Sequence, residues 1–147
     1  MLAFFKDKVA DLKAGAARFR DKETAEAIVA VMTGVAFADG ELEDAERRKL
    51  TAAFSADSTL AQFDQRVLAA KFDELSRQFS LDIDIGLDAC LKELQDIARR
   101  AKQEQRILVM RLGVMTAKAD GEIEPAERAF LNRCGEVLGV ELSEVGL

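Results

Sequence analysis

Asp39, Glu43 and Glu46 lie in the run Ala38-Asp39-Gly40-Glu41-Leu42-Glu43-Asp44-Ala45-Glu46-Arg47. The run occurs again as Ala119-Asp120-Gly121-Glu122-Ile123-Glu124-Pro125-Ala126-Glu127-Arg128, which puts Asp120, Glu124 and Glu127 in the same places. Only the pairs Leu42/Ile123 and Asp44/Pro125 differ. Carboxylates in such a cluster are hard oxygen donors suited to calcium or magnesium. Paired carboxylates also carry acid–base chemistry in some hydrolases. The run is too short for an EF-hand loop and lacks its D-x-[DN]-x-[DN]-G order, so a cation site here is of another and weaker kind. The chain has no histidine. That removes Ser-His-Asp and Cys-His nucleophile systems, His-ligated zinc and the usual general base. Cys90 and Cys134 stand far apart without a C-x-x-C spacing, and read as two buried, reduced thiols of a cytoplasmic protein.

The elements that must position these acids are helices. The chain has 147 residues with 49% hydrophobic and 33% charged, a globular composition long enough for one domain over 1–147. Its net charge of −6 lacks the basic footprint of a nucleic-acid binder. No run is long and apolar enough for a transmembrane segment. Apolar residues recur at three and four, so the fold class is all-α: a compact domain of about seven helices. The spacing predicts helices over 2–20, 24–38, 44–54, 63–79, 83–99, 104–119 and 125–138. The stretch 55–59 reads as a loop, Gly139 as a helix C-cap, and the tail as one short turn. The alternating segment Leu81 to Gly86 suggests a strand in isolation. It has no partner strand, and is read as a bend into a helix.

The repeated run, near 38–47 and 119–128, divides the chain into two similar halves related by a pseudo-two-fold, because its 81-residue offset is too long for a solenoid unit. Gly40 and Gly121 supply the left-handed residue that ends a helix. Leu42 and Ile123 return an apolar side chain to the core. Glu43 and Glu124 stand at the N-cap of the next helix, Pro125 at N1, and Glu46 and Glu127 at N3, where a carboxylate closes a capping box. Asp39 and Asp120 are less comfortable, because a carboxylate in the last turn of a helix faces the negative end of the dipole. Two accounts offset that cost. In one, the aspartates make Asx-type hydrogen bonds within the turn or pair with Arg47 and Arg128. In the other, a hard cation sits between the Asp, the N3 Glu and turn carbonyls, with Glu41, Glu43, Glu122 and Glu124 adding negative potential.

The paired D-G-E-[LI]-E-x-A-E-R elements resemble the tellurite-resistance TerB family. So do the opening Ala3-Phe4-Phe5-Lys6-Asp7-Lys8-Val9, the central Phe79-Ser80-Leu81-Asp82-Ile83-Asp84-Ile85-Gly86 and the terminal Val145-Gly146-Leu147. The likeness runs in the same order over nearly the whole chain. It implies a single all-helical domain of a cytoplasmic stress-response protein with no established catalysis. It implies scaffolding or metal sensing beside membrane-associated partners of the same system, at the inner face of the membrane. The family's proposed metal-binding acids carry over to Asp39, Glu46, Asp120 and Glu127, with Asp82 and Asp84 matching a further acidic motif. Because Asp44 and Pro125 differ between the copies, the halves need not bind equally.

Three other features complete the expectation. The basic amphipathic segment 2–20 can pack on the domain, dock a partner helix or lie on an anionic membrane. Asp82, Asp84 and Asp88 fall near a helix start, where they cap it or extend an acidic patch with Glu43 and Glu124. Gly34 and Gly113 lie inside helices and permit close crossing. The expected function is a non-catalytic, tellurite-resistance-like module that binds divalent cations, calcium foremost, at its two Asp-Gly turns and acts as a scaffold. The alternative is a metal-independent protein–protein adaptor near the membrane, with an acidic face and a basic first helix. No nucleic-acid partner is expected.

Overall fold

The computed structural model describes residues 2–40, 42–119 and 121–147, with side chains from Ala10 onward. Among these residues the chain forms seven α-helices, two 3-10 turns and no strand. The helices are α1 (Leu2–Arg18), α2 (Lys22–Phe37), α3 (Asp44–Ala56), α4 (Gln65–Leu81), α5 (Ile83–Ala98), α6 (Gln103–Lys118) and α7 (Pro125–Leu138). The 3-10 turns cover Leu60–Gln62 and Leu142–Val145. Boundaries follow the caps. Asp21 accepts from the Thr24 N–H at 3.0 Å and the Thr24 hydroxyl at 2.8 Å. Asp64 opens α4 by accepting from the Arg66 N–H at 2.9 Å. The segment 81–86 is the bend the sequence suggests. Asp82 ends α4 and starts α5 in extended conformation, with its carboxylate accepting from the Asp84 N–H at 2.7 Å. The loop expected over 55–59 is shorter than the spacing predicts. α3 runs on to Ala56, and Asp57 then turns the chain by accepting from the Thr59 and Leu60 N–H groups at 2.9 and 3.0 Å.

The duplication extends well beyond the repeated run. α1, α2, α3 and the first 3-10 turn answer to α5, α6, α7 and the second, while α4 joins the halves. Thr24 and Gln105 occupy equivalent places 81 residues apart, and Gln105 Nε2 donates to Thr24 Oγ1 at 2.6 Å. The pseudo-two-fold therefore passes between the N-terminal ends of α2 and α6. Around it lie two related ion pairs, Arg100–Glu23 at 2.5 Å and Arg18–Glu104. The C-terminal ends of α2 and α6, each leading into an Asp-Gly turn, emerge together at the other end of the molecule.

α2 is apolar on nearly every side from Ala25 to Phe37, and a helix of that kind must be enclosed. α4, α5, α6 and α7 pack around it. Gly34 and Gly113 do allow close crossing. A Cβ at Gly34 would fall 2.1 Å from Phe130 Cζ of α7, and one at Gly113 would fall 2.1 Å from Val31 Cγ1. α1 packs on α6 and buries Leu12 and Ala16 of its apolar stripe. The side chains of residues 2–9, which carry the rest of that stripe, lie outside the described residues. Among the described residues, no helix is long and apolar enough to cross a membrane.

Candidate functional site

The two Asp-Gly turns are built alike. In the first, the Ala38 N–H donates to Val35 O at 3.3 Å and the Gly40 N–H to Phe37 O at 3.0 Å. In the second, Ala119 donates to Thr116 O at 3.3 Å and Gly121 to Lys118 O at 3.1 Å. Gly40 and Gly121 have φ of 134° and 112°, a region that favours glycine. Glu43 and Glu124 are the N-caps of α3 and α7, Pro125 opens α7, and Leu42 is buried beneath the first turn.

The copies then diverge. Glu127 Oε1 accepts from the Glu124 N–H at 2.8 Å, the capping contact expected at N3. Glu46, its counterpart, is exposed, and α3 has no such capping box. Asp39 is also exposed, and among the described residues its carboxylate makes neither the Asx-type bond nor the Arg47 pair of the first of the two accounts. The Arg47 guanidinium lies 5.4 Å from the Phe37 ring centroid, where its charge meets the π face. Asp120 lies outside the described residues.

The structure brings the acids of both turns to one place. A groove of about 410 Å³ runs between α2, α3 and α6, and Asp39, Glu46 and Glu127 all line it. Its interior is largely apolar, with Met32, Val35, Leu50, Ala53, Leu112 and Met115. Lys49 and Asp57 also border it. Oxygen donors of this kind suit a hard cation. Among the described residues, however, no three carboxylates or thiols are grouped so as to hold a metal ion.

Other expected residues take different roles. Asp82 is committed to capping, Asp84 is exposed at the same corner, and Asp88 pairs with Arg133 at 3.3 Å. That corner lies near the first turn. Phe79 of α4 stacks on Phe37 at 4.4 Å between ring centroids, and a Cβ at Gly86 would fall 2.2 Å from the Phe79 ring. Cys90 and Cys134 are free and fully buried, and burial pushes both thiols up from their ordinary value. Neither has the exposure that marks a reactive cysteine.

Two features escaped the sequence. One is the groove itself, which exists because the two halves differ. The other is Lys71, nearly buried on α4. Its ammonium lies 2.6 Å from Glu93 of α5, 3.0 Å from Glu74 and 3.3 Å from Glu26 of α2. Burial works against its charge, but the hydrogen bonds that the ammonium donates to Glu93 and Glu74 outweigh that, with the one to Glu26 adding to them, and the net effect raises the lysine above its ordinary value.

These features define a duplicated all-helical domain with its repeated acidic turns gathered at one end. The chain belongs to the TerB family: the family model of tellurite resistance protein TerB matches residues 6–146, nearly the whole chain. No curated protein and no solved structure matches it.

Proposed function

We propose that this protein is a non-catalytic binding module of a tellurite-resistance-like system. It works in the cytoplasm as a scaffold beside a membrane-associated partner, and its recognition end is the one where the two Asp-Gly turns meet. Divalent cations, calcium foremost, bind there through Asp39 and Glu46 of the first turn and Asp120 and Glu127 of the second. The observation that supports this reading is that Asp39, Glu46 and Glu127, drawn from both copies of the repeat, line one groove. Their summed negative potential favours a cation even without a closed cage.

Calorimetric titration of chelator-stripped protein with calcium tests the reading. Saturable heat is expected with a Kd on the order of 0.1–1 mM, the weak end of calcium sites. It is expected to vanish in an Asp39→Asn, Asp120→Asn variant that melts as the wild type does in chelator. No heat with calcium, magnesium or zinc would sink the cation reading.

The metal-independent adaptor is the second reading. It is favoured by the apolar side chains that line the interior of the groove. The adaptor requires no change in melting temperature on adding calcium or chelator. A filled cation site would add about 2.7 kcal/mol at a hundredfold excess of ion over Kd.

A further inference from the structure

The two halves of the fold provide an internal comparison for the groove. In the second half, α7 closes down on the core. Phe130 sits against Gly34, and Leu131, Cys134 and Leu138 are fully buried or nearly so. The equivalent positions of α3, displaced by the 81-residue repeat, are Lys49, Leu50, Ala53 and Asp57. The counterpart of Gly34 is Met115 on α6. All five of these residues line the groove. A phenylalanine packed on a glycine is thus replaced by a lysine opposite a methionine, and a buried leucine by an aspartate. α3 buries only Phe54 among its own side chains. The groove is the place where the second half has an intramolecular anchor and the first half has none.

Close-packed interiors do not leave such a depression without loss of contact energy. Met115 stays 39% exposed within it. A flexible thioether beside aliphatic neighbours is the kind of surface that repacks around a partner's side chains. The charge at its border is one-sided, with Asp39, Glu46, Asp57 and Glu127 against Lys49. Asp57 and Glu127 already accept backbone hydrogen bonds, but they keep their negative charge.

We propose that this groove is the docking site for a cationic amphipathic helix of a partner protein. A bulky apolar side chain of that helix takes the place that Phe130 fills in the other half, and its Lys or Arg residues meet Asp39 and Glu46. Helix-in-groove recognition uses apolar anchors for affinity, and complementary charge steers the encounter and sets orientation. The proposal names the partner of the scaffold described above and does not depend on bound metal.

The test uses the full chain in chelator. The probe is a synthetic amphipathic helical peptide of Leu, Phe and Lys, labelled for fluorescence anisotropy. The same peptide with Glu for Lys is the control. Saturable binding is expected for the cationic peptide, at least about tenfold tighter than for the acidic one, and weakening as salt rises. Asp39→Lys with Glu46→Lys, both at exposed positions, is expected to weaken it by about tenfold or more. Met115→Arg, at an exposed position, is expected to do the same by blocking the anchor. Methyl NMR localises the contact: Met115 must shift on binding while the core residue Met110 does not. Equal binding of both peptides, binding unaffected by these variants, or shifts away from Met115 would overturn the proposal. So would sedimentation as a dimer that Met115→Arg dissociates, because the occupant would then be a second copy. Each of these outcomes leaves the calcium titration as an independent measurement, so the two readings fail separately.

Discussion

Lys71 shows how a buried charge is held by its surroundings. Its side chain is 8% exposed, and three carboxylates from α2, α4 and α5 surround the ammonium. Removing the cation leaves those acids facing one another. Lys71→Met is expected to destabilise the fold by about 3 kcal/mol in urea unfolding, the lower end of the range for broken buried pairs, because the glutamates retain water contact. Because the folded lysine is raised, its contribution is fully present below the unfolded value of about 10.4 and is lost only as pH rises through the folded one. Wild-type stability is therefore expected to lose this component only at strongly alkaline pH, and the Met variant to lack that component of the alkaline loss. Gly34 sets a different kind of limit. A methyl there would overlap the Phe130 ring, so Gly34→Ala is expected to cost about 1–3 kcal/mol through overpacking. Adding Phe130→Leu is expected to recover part of that loss, since contacting residues couple. Additive losses in a double-mutant cycle would show that the clash is not the cause.

At the level of elements, what the sequence discloses depends on whether the signal is local. The α7 boundaries, its N-cap at Glu124, Pro125 at N1 and the left-handed Gly139 all follow from neighbouring residues, and all are found. The 81–86 bend is legible for the same reason, since one capping aspartate fixes it. The end of α3 is less so, because Asp57 turns the chain by hydrogen bonds that compete with helix continuation only weakly. The Lys71 cluster is invisible in the sequence, because its four charges come from three helices that only packing brings together. The meeting of both Asp-Gly turns at one groove is equally hidden: periodicity shows that each helix ends in such a turn, but not that α2 and α6 lie with their N-termini together. The groove leaves a trace in the sequence, though only as a contrast. Where α7 carries Phe130 and Leu138, α3 carries Lys49 and Asp57.

Across the whole molecule, duplication without equality is the organising fact. Two copies of one helical unit share a central pair, α2 and α6, and the pseudo-two-fold is marked by the Thr24–Gln105 contact and its flanking ion pairs. From that shared frame the third helices part ways. α7 is tied to the core by Phe130, Leu131, Cys134 and Leu138, while α3 is held chiefly by Phe54, which meets Phe72 edge-to-face with centroids 6.0 Å apart. Local opening costs less where fewer apolar side chains must leave the core. Native-state hydrogen exchange is therefore expected to show α3 opening sub-globally, several kcal/mol below the global unfolding that releases α7. The Asp-Gly turns are alike in the two copies, and the capping box that α7 has and α3 lacks acts on the first turn alone, so a difference over the whole helix has its source in the packing. Equal protection of the two helices would mean that α3 is held by more than its described contacts. Slower exchange of α3 alone, on adding the cationic peptide, would place the bound helix against the half of the fold that lacks its own anchor.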